Sequence, residues 1–239
     1  MKNRILVLLV AAVVCAWATS AWALPSTVQA KWTSVVDSGE AYGQWPWAGS
    51  NLTLGAGGLF TFERLDGDNS MFYPRTRVGS NGFLAVCMEL AESSAKDTAY
   101  TFAVKTLEQT PVANFNLGFT ANPTGLRKMW ATHFDGLDQS DSTQVAAYQA
   151  AVWELVYDGT ADLTSGTFIL DGSSAVVAQA NTYLSGWGDK EANLMGLSLD
   201  GTQDFVVEVV PESSAIALWG MIGGVFALGC WFRRKRQGV

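Results

Sequence analysis

Residues 141–157 read Asp-Ser-Thr-Gln-Val-Ala-Ala-Tyr-Gln-Ala-Ala-Val-Trp-Glu-Leu-Val-Tyr, and the spacing within them predicts a helix over 142–157. Asp141 stands three residues ahead of Gln144, the arrangement in which an acidic side chain caps a first helical turn. Val145, Gln149, Val152 and Val156 then fall at i, i+4, i+7 and i+11, with Trp153 beside them, so they share the face a surface helix buries. An amide in the middle of that stripe costs about 2–7 kcal/mol unless its polar atoms find partners. Gln149 therefore needs a reason to be where it is.

One reason is a buried hydrogen bond to a strand carbonyl or to water. Another involves the cysteines. The chain has three. Cys15 lies in the leader described below and Cys230 in the apolar C-terminal stretch, which leaves Cys87 alone in the exported body with no disulfide partner. Either Cys87 is buried and inert or its sulfur is used. It sits in Gly82-Phe83-Leu84-Ala85-Val86-Cys87-Met88-Glu89-Leu90, an apolar run predicted as a buried strand with Cys87 in its middle. A thiolate against the side-chain carbonyl of Gln149 can expel ammonia and leave a Cys–Gln thioester. A lysine amine or a carbohydrate hydroxyl can then open it, becoming attached to Gln149 as Cys87 departs.

The segment Tyr148-Gln149-Ala150-Ala151-Val152-Trp153 resembles the Φ-Q-x-A-Φ-W helix motif of bacterial thioester domains, known from Gram-positive surface adhesins, in which the cysteine also lies on an earlier strand. The resemblance spans about Leu54 to Glu212. It implies a thioester between Cys87 and Gln149, Trp153 in the apolar shield, and Tyr148 and Glu154 as supporting neighbours. It also implies a β-rich thioester-domain-like fold. A terminal strand at Gln203-Asp204-Phe205-Val206-Val207 completes a layout similar to exported PEP-CTERM proteins.

The rest of the body agrees with a mainly β (α+β) fold carrying two or three short helices, from its Gly, Trp and Phe richness and short apolar runs. Residues 31–47 read as an irregular tryptophan-rich lead. Leu52–Leu54 and Leu59–Phe62 read as a hairpin across 55–58, and Tyr100–Leu107 as a strand. A helix begins near 125–130, and Leu163–Leu170 reads as another strand. Ser173 or Ser174 caps a short helix carrying Val176, Val177, Ala180 and Leu184. The run from Leu65 to Ser70 is rich in oxygen ligands, but Met71 and Arg77 occupy the positions where a calcium loop needs glycine and glutamate, so a plain turn is expected.

Both ends carry delivery signals. Lys2 and Arg4, an apolar run from Ile5 to Ala18, and Ala21-Trp22-Ala23 form a secretory signal peptide over 1–23, ahead of an exported domain at 24–208. At the other end Val210, Pro211 and Glu212 precede residues 215–232, uncharged and long enough for a transmembrane helix, followed by Arg233, Arg234, Lys235 and Arg236. Residues 209–239 resemble the PEP-CTERM sorting signal of Gram-negative, polysaccharide-secreting bacteria, with Ser213 where that family shows a second proline. The resemblance implies an exosortase-type processing enzyme as partner, a single-pass anchor at the cell surface, and release to an extracellular matrix.

Six of the fifteen Lys and Arg residues lie in the signal peptide and the basic tail and all twenty-two Asp and Glu residues lie between them, so residues 24–212 carry nine basic against twenty-two acidic side chains, a net −13. That surface disfavours nucleic acid. With one histidine, His133, no phosphate loop and no nucleophile elbow, the sequence argues against an enzyme that turns over, and for no cofactor and no metal. The expected function is adhesion or attachment through single-use acyl transfer to an amine or hydroxyl on a surface polysaccharide or protein. The alternative is a non-covalent carbohydrate-binding or structural biofilm-matrix protein. A glycan hydrolase built on Glu89 and Glu154 ranks below both.

Overall fold

The structure, a computed structural model, describes residues 24–37, 42–44, 58–90, 92–111, 120–171, 173–211 and Gly224. Residues 25–210 make one compact unit, and residues 1–24 with 211–239 are grouped in a second. Among the described residues no helix is long and apolar enough to cross a membrane. The signal peptide, the span expected at 215–232 apart from Gly224, Glu212 and the basic cluster at 233–236 all lie outside them.

In chain order the strands are β1 (Thr27–Asp37), β2 (Tyr42–Gln44), β3 (Gly58–Arg64), β4 (Arg77–Val78), β5 (Gly82–Cys87), β6 (Tyr100–Thr106), β7 (Ile169–Asp171), β8 (Leu194–Leu199) and β9 (Thr202–Glu208). The helices are α1 (Pro123–His133), α2 (Ser142–Tyr157) and α3 (Ser174–Tyr183). Six strands close on themselves in the order β3-β1-β6-β8-β9-β5 and back to β3, every pairing antiparallel, with β4 added outside β5. Among the described residues the chain is thus β-rich with three short helices, as its composition suggested, and its strands close into a six-stranded barrel.

Phenylalanines fill the barrel. Phe62 on β3 lies 4.8 Å from Phe205 on β9 and 6.0 Å from Phe102 on β6, between ring centroids. None of these three strands neighbours another in the ring, so the contacts cross the interior. Phe83 on β5 stacks on Phe62 at 5.3 Å. Each ring buries an area whose transfer from water is worth about 1.5–3 kcal/mol, and edge-to-face pairs add to that.

Of the lead expected to be irregular over 31–47, residues 31–37 instead continue the eleven-residue strand β1 and 42–44 form β2, while 38–41 and 45–47 lie outside the described residues. The first residues of β1 alternate, with Val28 and Ala30 buried and Thr27 and Gln29 exposed, which is the period of a half-buried strand. The strand expected over 163–170 shrinks to β7, paired with β2, because Asp162 and Asp158 hold the preceding residues in turns. Asp162 accepts from Thr164 N, and Asp158 from Thr167 N and Phe168 N. Of the hairpin expected at 52–62, only β3 falls among the described residues, and its partners are β1 and β5. The turn after β3 is a plain one. Asp66 takes Arg64 and the Gln29 amide, and Asp68 takes the Ser70 amide.

Helix α2 begins as the sequence dictates, with Asp141 accepting from the Thr143 and Gln144 amides. It is not a one-faced surface helix, however. Every residue from Val145 to Tyr157 is buried, because the helix lies between the β1-β3-β5 wall on one side and α1 and α3 on the others. Ser173 caps α3 through the Val176 amide. A buried ion pair ties α1 to the barrel. Arg75 donates two bonds to Glu208 at 2.7 and 2.8 Å, Trp130 Nε1 donates to the same carboxylate at 3.1 Å, and Asp135 holds the guanidinium from its other side at 2.8 Å.

Candidate functional site

Cys87 is the last residue of β5, not a mid-strand one, and Met88 and Glu89 already leave the strand. It pairs in register with Phe205, so its side chain lies on the barrel-interior face, two residues beyond Ala85 and four beyond Phe83. Cys87 is fully buried and free.

Gln149, 1% exposed, reaches it from α2. The Cys87 backbone N–H donates to Gln149 Oε1 at 3.2 Å, and Gln149 Nε2 donates to the Cys87 carbonyl at 2.8 Å. The side-chain amide thereby pairs with the end of β5 as a further strand would. Two residues 62 positions apart, singled out separately in the sequence, are in contact.

The sulfur has its own shell. Sγ donates to the Glu89 carbonyl at 2.8 Å, and Gln203 Nε2 on β9 donates to Sγ at 2.7 Å. Burial pushes the Cys87 thiol up to about 12, and the carboxylate of Glu89 adds to the rise. A hydrogen bond with the Glu89 backbone, the Trp153 indole and the Gln203 amide pull against it. A buried thiol so placed stays protonated at neutral pH. Its thiolate is a poor leaving group while the site is closed.

Trp153 is 1% exposed, and its Nε1 is buried without a hydrogen bond of ordinary geometry. Its ring packs 5.8 Å from Phe168. Tyr148 occupies an aromatic cluster with Trp130, Phe134 and Tyr183 that joins the three helices. Glu154 serves the loop after α2, its Oε1 accepting from the Thr160 hydroxyl and the Asp162 amide. The structure thus brings Cys87, Gln149 and Trp153 together and gives Tyr148 and Glu154 partners elsewhere. His133 ends α1 with its ring against Tyr183, and Trp187 donates to the Tyr183 carbonyl at 2.6 Å. Glu89 sits beside Asp204, whose amide it accepts at 3.2 Å, so the two acids weighed for hydrolysis belong to hydrogen-bonded sets with different partners. Of the sorting motif, Val210 donates its amide to the Met71 carbonyl at 2.8 Å and Pro211 is exposed.

Gln203 and Asp204 were legible only as part of a strand. Asp204, 3% exposed, is pushed up to about 7, first by burial and then by the carboxylate of Glu89, while hydrogen bonds from Leu199 N and Ser198 oppose the rise. Burial likewise raises Glu154 to about 7, with Asp158 and Asp162 adding to it. Both start from unfolded values of 3.8 and 4.5, so the folded state holds more protons between those values and about 7. Stability is highest at the lower edge of that window and falls as pH rises through it, at about 1.4 kcal/mol per pKa unit before relaxation. A decline of about 2 kcal/mol between pH 5 and pH 8 is expected in urea midpoints. Asp204→Asn should flatten it, and an equally steep decline in that variant would assign the effect to other groups.

No protein-family model matches the chain, and neither a curated protein nor a solved structure is significantly similar to it. The site's chemistry has to be argued from its own geometry.

Proposed function

We propose that this is an exported surface protein that attaches itself covalently through a Cys87–Gln149 thioester. The observation that carries the reading is the seating of the Gln149 carboxamide on the Cys87 backbone in a fully buried site. In forming the bond, Sγ adds to Gln149 Cδ, the Cδ–N bond breaks, and the thiol proton leaves with the nitrogen as ammonia. Burial then keeps water away, and the high thiol pKa slows spontaneous expulsion of sulfur. An amine or hydroxyl on a surface polysaccharide or protein is the acceptor of the acyl group. The terminal signals support delivery: a signal peptide, a PEP-CTERM-like tail for an exosortase-type enzyme, and an anchor at 215–232 from which the protein is released to the matrix.

A second reading is a non-covalent carbohydrate-binding or structural matrix protein. It is favoured by the same hydrogen bonds, since Gln149 already satisfies both its amide groups on Cys87 and a protonated thiol needs no further use.

Intact mass of the purified protein separates the two. The thioester reading expects a shortfall of about 17 Da, the ammonia lost on acylation, absent in Cys87→Ala and replaced by a methylamide on Gln149 after methylamine treatment. A full mass, with a thiol that titrates only on unfolding, leaves the non-covalent protein.

A further inference from the structure

We propose that Gln203 receives the departing sulfur when the thioester is opened, an inference that rests on the thioester reading above. Its register places it there. Cys87 lies opposite Phe205, and Gln203, two residues from Phe205, shares the same face and reaches Sγ on the diagonal. Next to the phenylalanine-filled interior, a side chain that only filled space would be apolar. Gln203 instead spends its amide on the sulfur at 2.7 Å and, more weakly, on the Glu89 carbonyl at 3.3 Å.

The thiol proton is directed to the Glu89 carbonyl, so the Gln203 N–H meets a sulfur lone pair. When an amine or hydroxyl adds to Gln149 Cδ, the Cδ–Sγ bond breaks and its electron pair passes to Sγ. The proton given up by the nucleophile ends on sulfur and restores the thiol. Negative charge develops at an atom no water reaches, because Cys87 is fully buried. A donor already aimed at that atom stabilises the charge without reorganising, as the N–H groups of an oxyanion hole do. The Trp153 indole N–H, buried with no partner of ordinary geometry, is the second donor of the pair. Gln203 is also half-buried where Cys87, Gln149 and Trp153 are sealed, so its replacement disturbs little packing.

The test compares the full-length protein with Gln203→Met, which keeps length and loses the N–H, and with Gln203→Asn, which keeps the amide at shorter reach. Intact mass reads thioester content, and the rate of methylamine incorporation reads opening. Gln203→Met should keep the shortfall and open about tenfold more slowly, less than the ~100-fold cost of losing an oxyanion donor because sulfur is a weaker acceptor. Gln203→Asn should fall between. In the opened proteins the freed Cys87 thiol should titrate at higher pH in Gln203→Met than in the wild type. A wild-type shortfall with equal opening rates in Gln203→Met overturns this inference and leaves the thioester. A wild-type mass without the shortfall overturns the thioester and this inference with it. A Gln203→Met that loses the wild-type urea midpoint makes Gln203 structural, and a wild-type opening rate in Gln203→Asn would also count against the donor.

Discussion

On the thioester reading Gln149→Leu should abolish both the mass shortfall and the methylamine adduct, and on either reading it should destabilise the fold by on the order of 2–6 kcal/mol, because it strands two buried groups at about 1–3 kcal/mol each. Those groups are the N–H and the carbonyl of Cys87. Leucine fills a similar volume, so the loss is one of hydrogen bonding and not of packing. Cys87→Ala makes the useful contrast. It removes the sulfur and with it the adduct, yet keeps both backbone groups and their bonds to Gln149, so its urea midpoint should drop far less. The two halves of the proposed crosslink are equal in chemistry and unequal in structure. A Gln149→Leu protein as stable as the wild type would show that the amide does not carry the end of β5.

Glu208→Ala should cost about 3–5 kcal/mol, the price of breaking one side of a buried ion pair. The Glu208 side chain is 3% exposed and serves Arg75 twice and the Trp130 indole once. Removing it leaves the Trp130 N–H without an acceptor and Arg75 with Asp135, which is largely in solvent. Against a typical domain stability of about 5–15 kcal/mol, that loss is severe. Arg127 and Glu108 form a bond of similar length, but Glu108 is half exposed. Although Arg127 holds the Glu108 carboxyl down to about 2, water screens the pair, so Arg127→Ala should cost under about 1 kcal/mol. Urea titrations of the two variants side by side check the ranking, and equal midpoints would mean that burial does not set it.

How far the sequence could be read depended on whether a signal was local. Helix α2 was legible to the residue because Asp141 and the 3.6-residue period both lie inside it. Its complete burial was not, since that depends on α1, α3 and the barrel arriving from elsewhere in the chain. Cys87 and Gln149 could be singled out by type and spacing, but their contact spans 62 positions and no local pattern encodes it. Gln203 is 116 positions from Cys87, and an amide on a strand gives no cue that a sulfur waits opposite. Strand β8 escaped notice because Gly196 interrupts its apolar run. The glycine is required there, since a Cβ would collide with the Thr110 side chain packed over it. In β1 Trp32 and the small residues obscured an alternation that the burial of Val28 and Ala30 makes plain at its start.

Closure of the six strands has a consequence for how copies of this protein meet. Among the described residues each barrel strand has a hydrogen-bonded neighbour on both sides, but β1 meets β6 only over Thr27–Ala30, so the β6 side of Lys31–Asp37 has no strand partner. The unpaired side of β4 is two residues long, too short to template a neighbour. Strand addition between copies is closed wherever both sides of a strand are paired, and residues 31–37 of β1 are the stretch it would have to use. Over the rest of the barrel, cohesion between copies would have to run through side chains or covalent bonds.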